Sequence, residues 1–186
     1  MQIEAKFAGF GGQGIMVAGK LLAEAGMEEG KQVCWIPSYG PEMRGGTAYC
    51  TVVIADHPIG SPVVNNPVHL IAMNRPSLEK FAPMVVPKGM IIVNSSLIPI
   101  TSERDDVTEY LVPCNDIANE IGNIRGPNMV VLGAYVAASK IVGMDTAEHI
   151  VRLEFARKPQ FIDMNVEALK KGAEAIFSQA KAKTAV

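Results

Sequence analysis

The segment Gly9-Phe10-Gly11-Gly12-Gln13-Gly14 constrains this chain more than any other. Residues 3–8 before it are half apolar and read as a β-strand. Residues 13–29 after it carry Ile15, Met16, Ala18, Leu21, Leu22 and Ala25 at helical spacing. A Gly-x-Gly-x-x-Gly pattern has physical meaning in that context. The first glycine permits a tight turn, the second lets a ligand approach bare backbone, and the third lets the helix pack closely on the strand. The unpaired N–H groups at the helix start then favour an anion such as a phosphate.

The rest of the chain fits such a start. Residues 32–36 read as a strand stopped by Pro37, 47–55 as a strand rich in β-formers, and 68–73, 89–94 and 106–112 as further short strands. Helices are expected over 76–81, 115–121, 128–142, a stretch ending at Ala156 that Asp145 or Thr146 caps, and 160–182. The 128–142 stretch is apolar almost all round, as a buried helix would be. Strands alternating with helices predict an α/β fold, a Rossmann-like three-layer sandwich whose mostly parallel sheet is covered by helices on both faces. The hydrophobic content of 48% suits such a doubly covered sheet. We read residues 1–186 as one domain.

The glycine pattern by itself leaves its ligand open. A dinucleotide site needs a carboxylate about 20 residues further on, at the end of the second strand. That end reads Trp35-Ile36-Pro37-Ser38-Tyr39 and holds no acid. No Gly-Lys-Ser/Thr follows the glycines, which excludes a Walker-type phosphate loop. An anion-cradling loop and a turn needed only for close packing both remain. A second loop, Ser38-Tyr39-Gly40-Pro41-Glu42-Met43-Arg44-Gly45-Gly46, follows the second strand. Both loops are expected at the carboxyl ends of strands, where open α/β sheets bind ligands. The Arg44 guanidinium suits a carboxylate or phosphate, Glu42 can orient it, and Gly45 leaves the backbone bare. The alternative for Glu42 and Arg44 is a surface ion pair on a tight turn.

Other residues exclude whole classes of chemistry. Cys34, Cys50 and Cys114 have neither metal nor cluster spacing and read as reduced structural thiols, as in a cytoplasm. No two of His57, His69 and His149 have ligand spacing. Trp35 reads as core and Lys20 as a solvated face, while Ser95 and Ser96 suit either a ligand or a cap. The net charge of -2, with both signs interspersed, points to neither nucleic acid nor membrane as a partner. No run of apolar residues is long enough to span a bilayer. We therefore expect a cytoplasmic protein.

Taken together, the Gly9–Gly14 motif and the Ser38–Gly46 motif resemble the γ subunit of the 2-oxoacid:ferredoxin oxidoreductases. The resemblance continues through Ile59-Gly60-Ser61-Pro62, Ile92-Val93-Asn94-Ser95-Ser96-Leu97 and Asn128-Met129-Val130-Val131-Leu132-Gly133-Ala134, and so covers nearly the whole chain. It implies membership of a complex that decarboxylates a 2-oxoacid oxidatively, with coenzyme A taking the acyl group and ferredoxin the electrons. It further implies thiamine diphosphate with Mg2+ and iron–sulfur clusters elsewhere in that complex, held by α and β subunits and by a δ subunit where one exists. The chain has no Gly-Asp-Gly signature and no cluster motif. It is thus expected to bind none of these alone, to hold no catalytic residue or metal ligand, and to be inactive in isolation. By the resemblance, Gly11, Gly12, Gln13, Gly14, Glu42, Arg44 and Gly45 are the candidate cofactor-binding residues, on the coenzyme A side. The second loop leans towards 2-oxoglutarate or a branched-chain 2-oxoacid over pyruvate. The competing readings are a stand-alone nucleotide-dependent oxidoreductase and a simple coenzyme A-binding module.

Overall fold

The structure, a computed structural model, describes residues 1–38 and 47–184, with the backbone alone for Thr47 and 180–184. One sheet is built from β1 (Gln2–Phe10), β2 (Gln32–Ser38), β3 (Thr47–Ala55), β4 (His69–Ala72), β5 (Met90–Asn94) and β6 (Thr108–Val112). Between and after them come α1 (Ile15–Glu28), α2 (Arg75–Phe81), α3 (Cys114–Glu120), α4 (Pro127–Ser139), α5 (Met144–Glu154) and α6 (Ile162–Thr184). The strand order is β2-β3-β1-β4-β5-β6.

The expected α/β sandwich is present. The ladders β1–β4, β4–β5 and β5–β6 are parallel, and β3 alone runs against its neighbours β1 and β2. The reason is chain length. Residues 39–46 are too few to carry a crossover, which takes a dozen or more, so β3 turns back beside β2. β2 also runs one step past the expected stop, through Pro37 to Ser38. As an edge strand it tolerates a residue without an N–H.

Side chains alternate across the sheet and divide the core in two. Phe7, Val52, Ile54, Ile71 and Ile92 pack under α1 and α3 to α6, while Leu70, Ala72, Ile91 and Val93 pack under α2. Both faces are covered, one far more thickly than the other. As its all-round apolar character predicts, α4 lies inside the thick side, buried from Met129 to Ala137. It crosses α6 with backbones nearly touching: a Cβ on Gly133 would fall 1.8 Å from the Leu169 carbonyl oxygen, and one on Gly172 would fall 1.8 Å from that of Val130. The expected cap of α5 is corrected. Gly143 occupies the N-cap without a side-chain bond, and its N–H donates to Glu29 Oε1 at 2.6 Å. That carboxylate, at the end of α1, binds the N–H of the N-cap residue itself, so it ties α1 to the start of α5 without acting as the side-chain cap expected of Asp145 or Thr146. Among the described residues no helix is long and apolar enough to cross a membrane.

One core contact predicts a pH dependence. His69 is half-buried at the start of β4, its Nδ1 3.0 Å from the hydroxyl of the fully buried Tyr135. Burial pushes the imidazole down to about 4, so it is neutral in the fold at physiological pH. The unfolded chain takes up this proton near pH 6.5, whereas the folded chain resists until about pH 4. Stability is therefore full above pH 6.5 and falls between 6.5 and 4, by on the order of 2–3 kcal/mol from this group. Carboxylates add their own acid loss. The contribution of His69 is the difference between wild type and His69→Gln, which keeps a bond to Tyr135. Urea midpoints across that pH range should show a clearly shallower slope in the variant.

Candidate functional site

The chain leaves β1 towards β2 on one side of the sheet and later returns to β4 on the other. The carboxyl ends of β1 and β4 therefore flank the switch point where open α/β sheets bind ligands. The glycine loop stands on that spot. Gly12 and Gly14 have φ of 93° and 72°, in the left-handed region that favours glycine. Gly14 is the N-cap of α1, without any side-chain cap. A Cβ there would meet Asn128 Nδ2 at 2.5 Å, and that amide donates to the Gly14 carbonyl at 3.3 Å. The third glycine thus makes room for the start of α4, not for the strand beneath α1 as the motif suggested.

Gln13 is a brace. Its Oε1 accepts from the Phe10 N–H at 2.6 Å and its Nε2 donates to the Met73 carbonyl at 3.0 Å. One amide thereby ties the end of β1 to the end of β4 across the switch point and holds the loop open. Gly11 and Gly12 remain exposed with bare backbone. Beside them is a cavity of about 500 Å3 lined by Gly12, Gln13, Met73, Asn115, Ile124, Arg125 and Pro127.

The site residues expected from the sequence fall into two groups. Gly11, Gly12, Gln13 and Gly14 come together as one turn, with Gly12 and Gln13 on the cavity wall. Glu42, Arg44 and Gly45 lie outside the described residues, although Ser38 and Thr47, which flank that segment, end at the same edge of the sheet as Phe10. The sequence reading missed Arg125 and Asn115. Arg125 is exposed in the turn before α4, and none of the ion pairs among the described residues involves it. Its signal in the sequence is an arginine beside Gly126-Pro127, a turn closing on a helix start, the same logic that singled out the glycine loop.

The residues taken as structural are so. Trp35 packs against the larger core cluster, and Lys20 pairs with Glu24 and Glu154 on the surface. Ser96 exchanges hydrogen bonds with Asp116, caps α3, and so takes the capping role. Cys50 and Cys114 are fully buried, and burial pushes the Cys50 thiol up to about 12. Among the described residues no three His, Cys, Asp or Glu side chains converge to hold a metal ion. A second depression, about 480 Å3 between α1 and α5, is rimmed by Glu24, Glu28 and Glu154 and would repel an anion.

Comparison with known proteins identifies the family and the fold. The profile of the pyruvate ferredoxin/flavodoxin oxidoreductase family matches residues 4–175. The ketoisovalerate oxidoreductase subunit VorA of Methanothermobacter thermautotrophicus is 40% identical over 93% of this chain, which spans only 36% of that relative's length. The 2-oxoglutarate synthase subunit KorC of Methanocaldococcus jannaschii is 33% identical over 94% of both chains. A keto/oxoacid ferredoxin oxidoreductase γ subunit from Geobacter sulfurreducens superposes with a TM-score of 0.81 at 30% identity, over 95% of this chain and 99% of its own. The chain belongs to the pyruvate ferredoxin/flavodoxin oxidoreductase family, as its resemblance to the γ subunits implied.

Proposed function

We propose that residues 1–186 act as the γ-type domain of a thiamine-dependent 2-oxoacid:ferredoxin oxidoreductase and supply part of its coenzyme A site. That complex converts a 2-oxoacid and coenzyme A to acyl-CoA and CO2, with the electrons leaving to ferredoxin. The observation that carries the coenzyme A reading is the cavity at the β1–β4 switch point. It combines bare glycine backbone, the start of α1 and the guanidinium of Arg125, which joins no ion pair among the described residues. Backbone N–H groups and a guanidinium suit phosphate oxygens, and no carboxylate lines the cavity among the described residues. Thiamine diphosphate, Mg2+ and iron–sulfur clusters would supply the carbon and electron chemistry from α and β subunits, and from a δ subunit where one exists. This chain's part is to bind and orient. Relatives named for ketoisovalerate and 2-oxoglutarate support a branched-chain 2-oxoacid or 2-oxoglutarate as substrate in preference to pyruvate.

Purification from the native source should bring down thiamine- and cluster-binding chains with this one. The assembly should reduce viologen only when a 2-oxoacid and coenzyme A are both present, fastest with a branched-chain acid or 2-oxoglutarate, and the isolated chain should show no turnover. Micromolar binding of NAD, NADP or FAD by the isolated chain, without such partners, would overturn the proposal.

A further inference from the structure

Behind the cavity wall lies a buried amide whose orientation the backbone dictates. Asn94, at the carboxyl end of β5, is completely buried. Its Oδ1 accepts from the Cys114 N–H at 3.2 Å. A backbone N–H only donates, so this contact fixes which end of the Asn94 amide is oxygen. The other end, Nδ2, donates to Asn115 Oδ1 at 2.8 Å. That second bond fixes Asn115 in turn. Its oxygen is held from behind, and its Nδ2 takes no partner among the described residues. Asn115 lies half-buried in the first turn of α3 and lines the same cavity as Arg125.

We infer that Asn94 is a positioning residue that commits Asn115 to offer N–H donors to the cavity, so that Asn115 and Arg125 together select a ligand presenting oxygen acceptors. The inference rests on the reading that the cavity takes coenzyme A. Such acceptors are the phosphate oxygens or the amide carbonyl oxygens of that carrier. A ligand offering a donor at this wall would face donors and be rejected, because an unmatched polar pair in a confined site costs far more than the matched pair gains.

Asn94→Asp tests the orientation directly. Aspartate has nearly the same shape and still accepts from the Cys114 N–H. When ionised it cannot donate, so Asn115 must turn its NH2 backwards and show its oxygen to the cavity. In the assembled complex at pH 8, the KM for coenzyme A should rise by about tenfold, while kcat at saturating coenzyme A stays within about twofold. Lowering the pH protonates the introduced carboxyl and restores its donor, so the KM penalty should shrink, a recovery that simple packing damage would not produce. Cys114 and Asp116 on α3 and Arg125 in the cavity are present in both proteins, so the comparison with wild type isolates the new carboxyl. Asn115→Asp, half-buried at the cavity wall, places an acceptor there while keeping an oxygen for the Asn94 Nδ2 bond, and should raise the KM by about tenfold as well. It carries the same test should Asn94→Asp fail to assemble. Repeating the Asn115→Asp assay with pantetheine as acceptor separates the two sources of oxygen. A retained penalty assigns the contact to a carbonyl, and a lost one assigns it to a phosphate. If both variants leave the KM within twofold while Arg125→Ala raises it, the inference falls and the cavity reading stands. If Arg125→Ala leaves it unchanged too, the cavity reading falls as well.

Discussion

Gly133→Ala or Gly172→Ala should destabilise the fold by about 3 kcal/mol or more, although both residues lie in helices where alanine is otherwise the better choice. Helix propensity alone would predict a gain of about 1 kcal/mol from either change. Packing reverses the sign. The new methyl would sit 1.8 Å from a carbonyl oxygen of the facing helix, less than any real contact, and the obstacle is backbone that no rotamer change removes. The helices α4 and α6 must separate, and the buried side of α4 loses contact with its neighbours along its length. For a chain of this size the melting temperature should fall by about 6–12 °C. The double variant should cost less than the sum of the two, because both methyls force the same pair of helices apart. Thermal and urea unfolding of the three variants check this. A stabilised single variant would show that α4 and α6 do not cross so closely.

The largest functional effect is expected at Arg125. Reversing its charge with Arg125→Glu should raise the KM for coenzyme A by about 100-fold in the assembled complex, with kcat at saturating coenzyme A little changed. Arg125→Lys keeps the charge but loses the planar fork, and should cost about tenfold. The side chain is exposed and takes no part in the ion pairs among the described residues, so stability should move by no more than about 0.5 kcal/mol. The split between an unchanged melt and a large KM effect is the decisive readout. An unchanged KM in Arg125→Glu would remove this residue from the site.

The glycine loop was legible in the sequence because its constraints are local. A left-handed φ at Gly12 and Gly14, and a strand-to-helix turn around them, follow from neighbours within a few residues. The buried character of α4 was legible for the same reason, since a helix that is apolar all round has no solvent face. Even the reversal of β3 was within reach, because counting residues 39–46 excludes a crossover. The site itself was less legible. Gln13 carries the right chemistry for a ligand contact, and the fold gives its amide a further task as a brace between Phe10 and Met73, which lies sixty positions away. Nothing local to Gln13 announces that partner. Asn94 and Asn115 look ordinary in sequence, and the turn at Arg125 announces only a helix start; that Asn115 and Arg125 share a cavity wall, with Asn94 behind it, emerges only in the fold.

The sequence by itself determined the α/β alternation and the glycine turn at the end of β1, because these rest on periodicity and on backbone conformations that few residues but glycine accept, and its two loop motifs carried the resemblance to the family. The tertiary structure alone decided what surrounds that turn. It set which face receives five helices, which glycines let α4 and α6 touch, and that Arg125 and Asn115 share a cavity with Gly12. Such meetings depend on where the sheet order reverses and on how closely helices approach, quantities that arise only when distant segments pack.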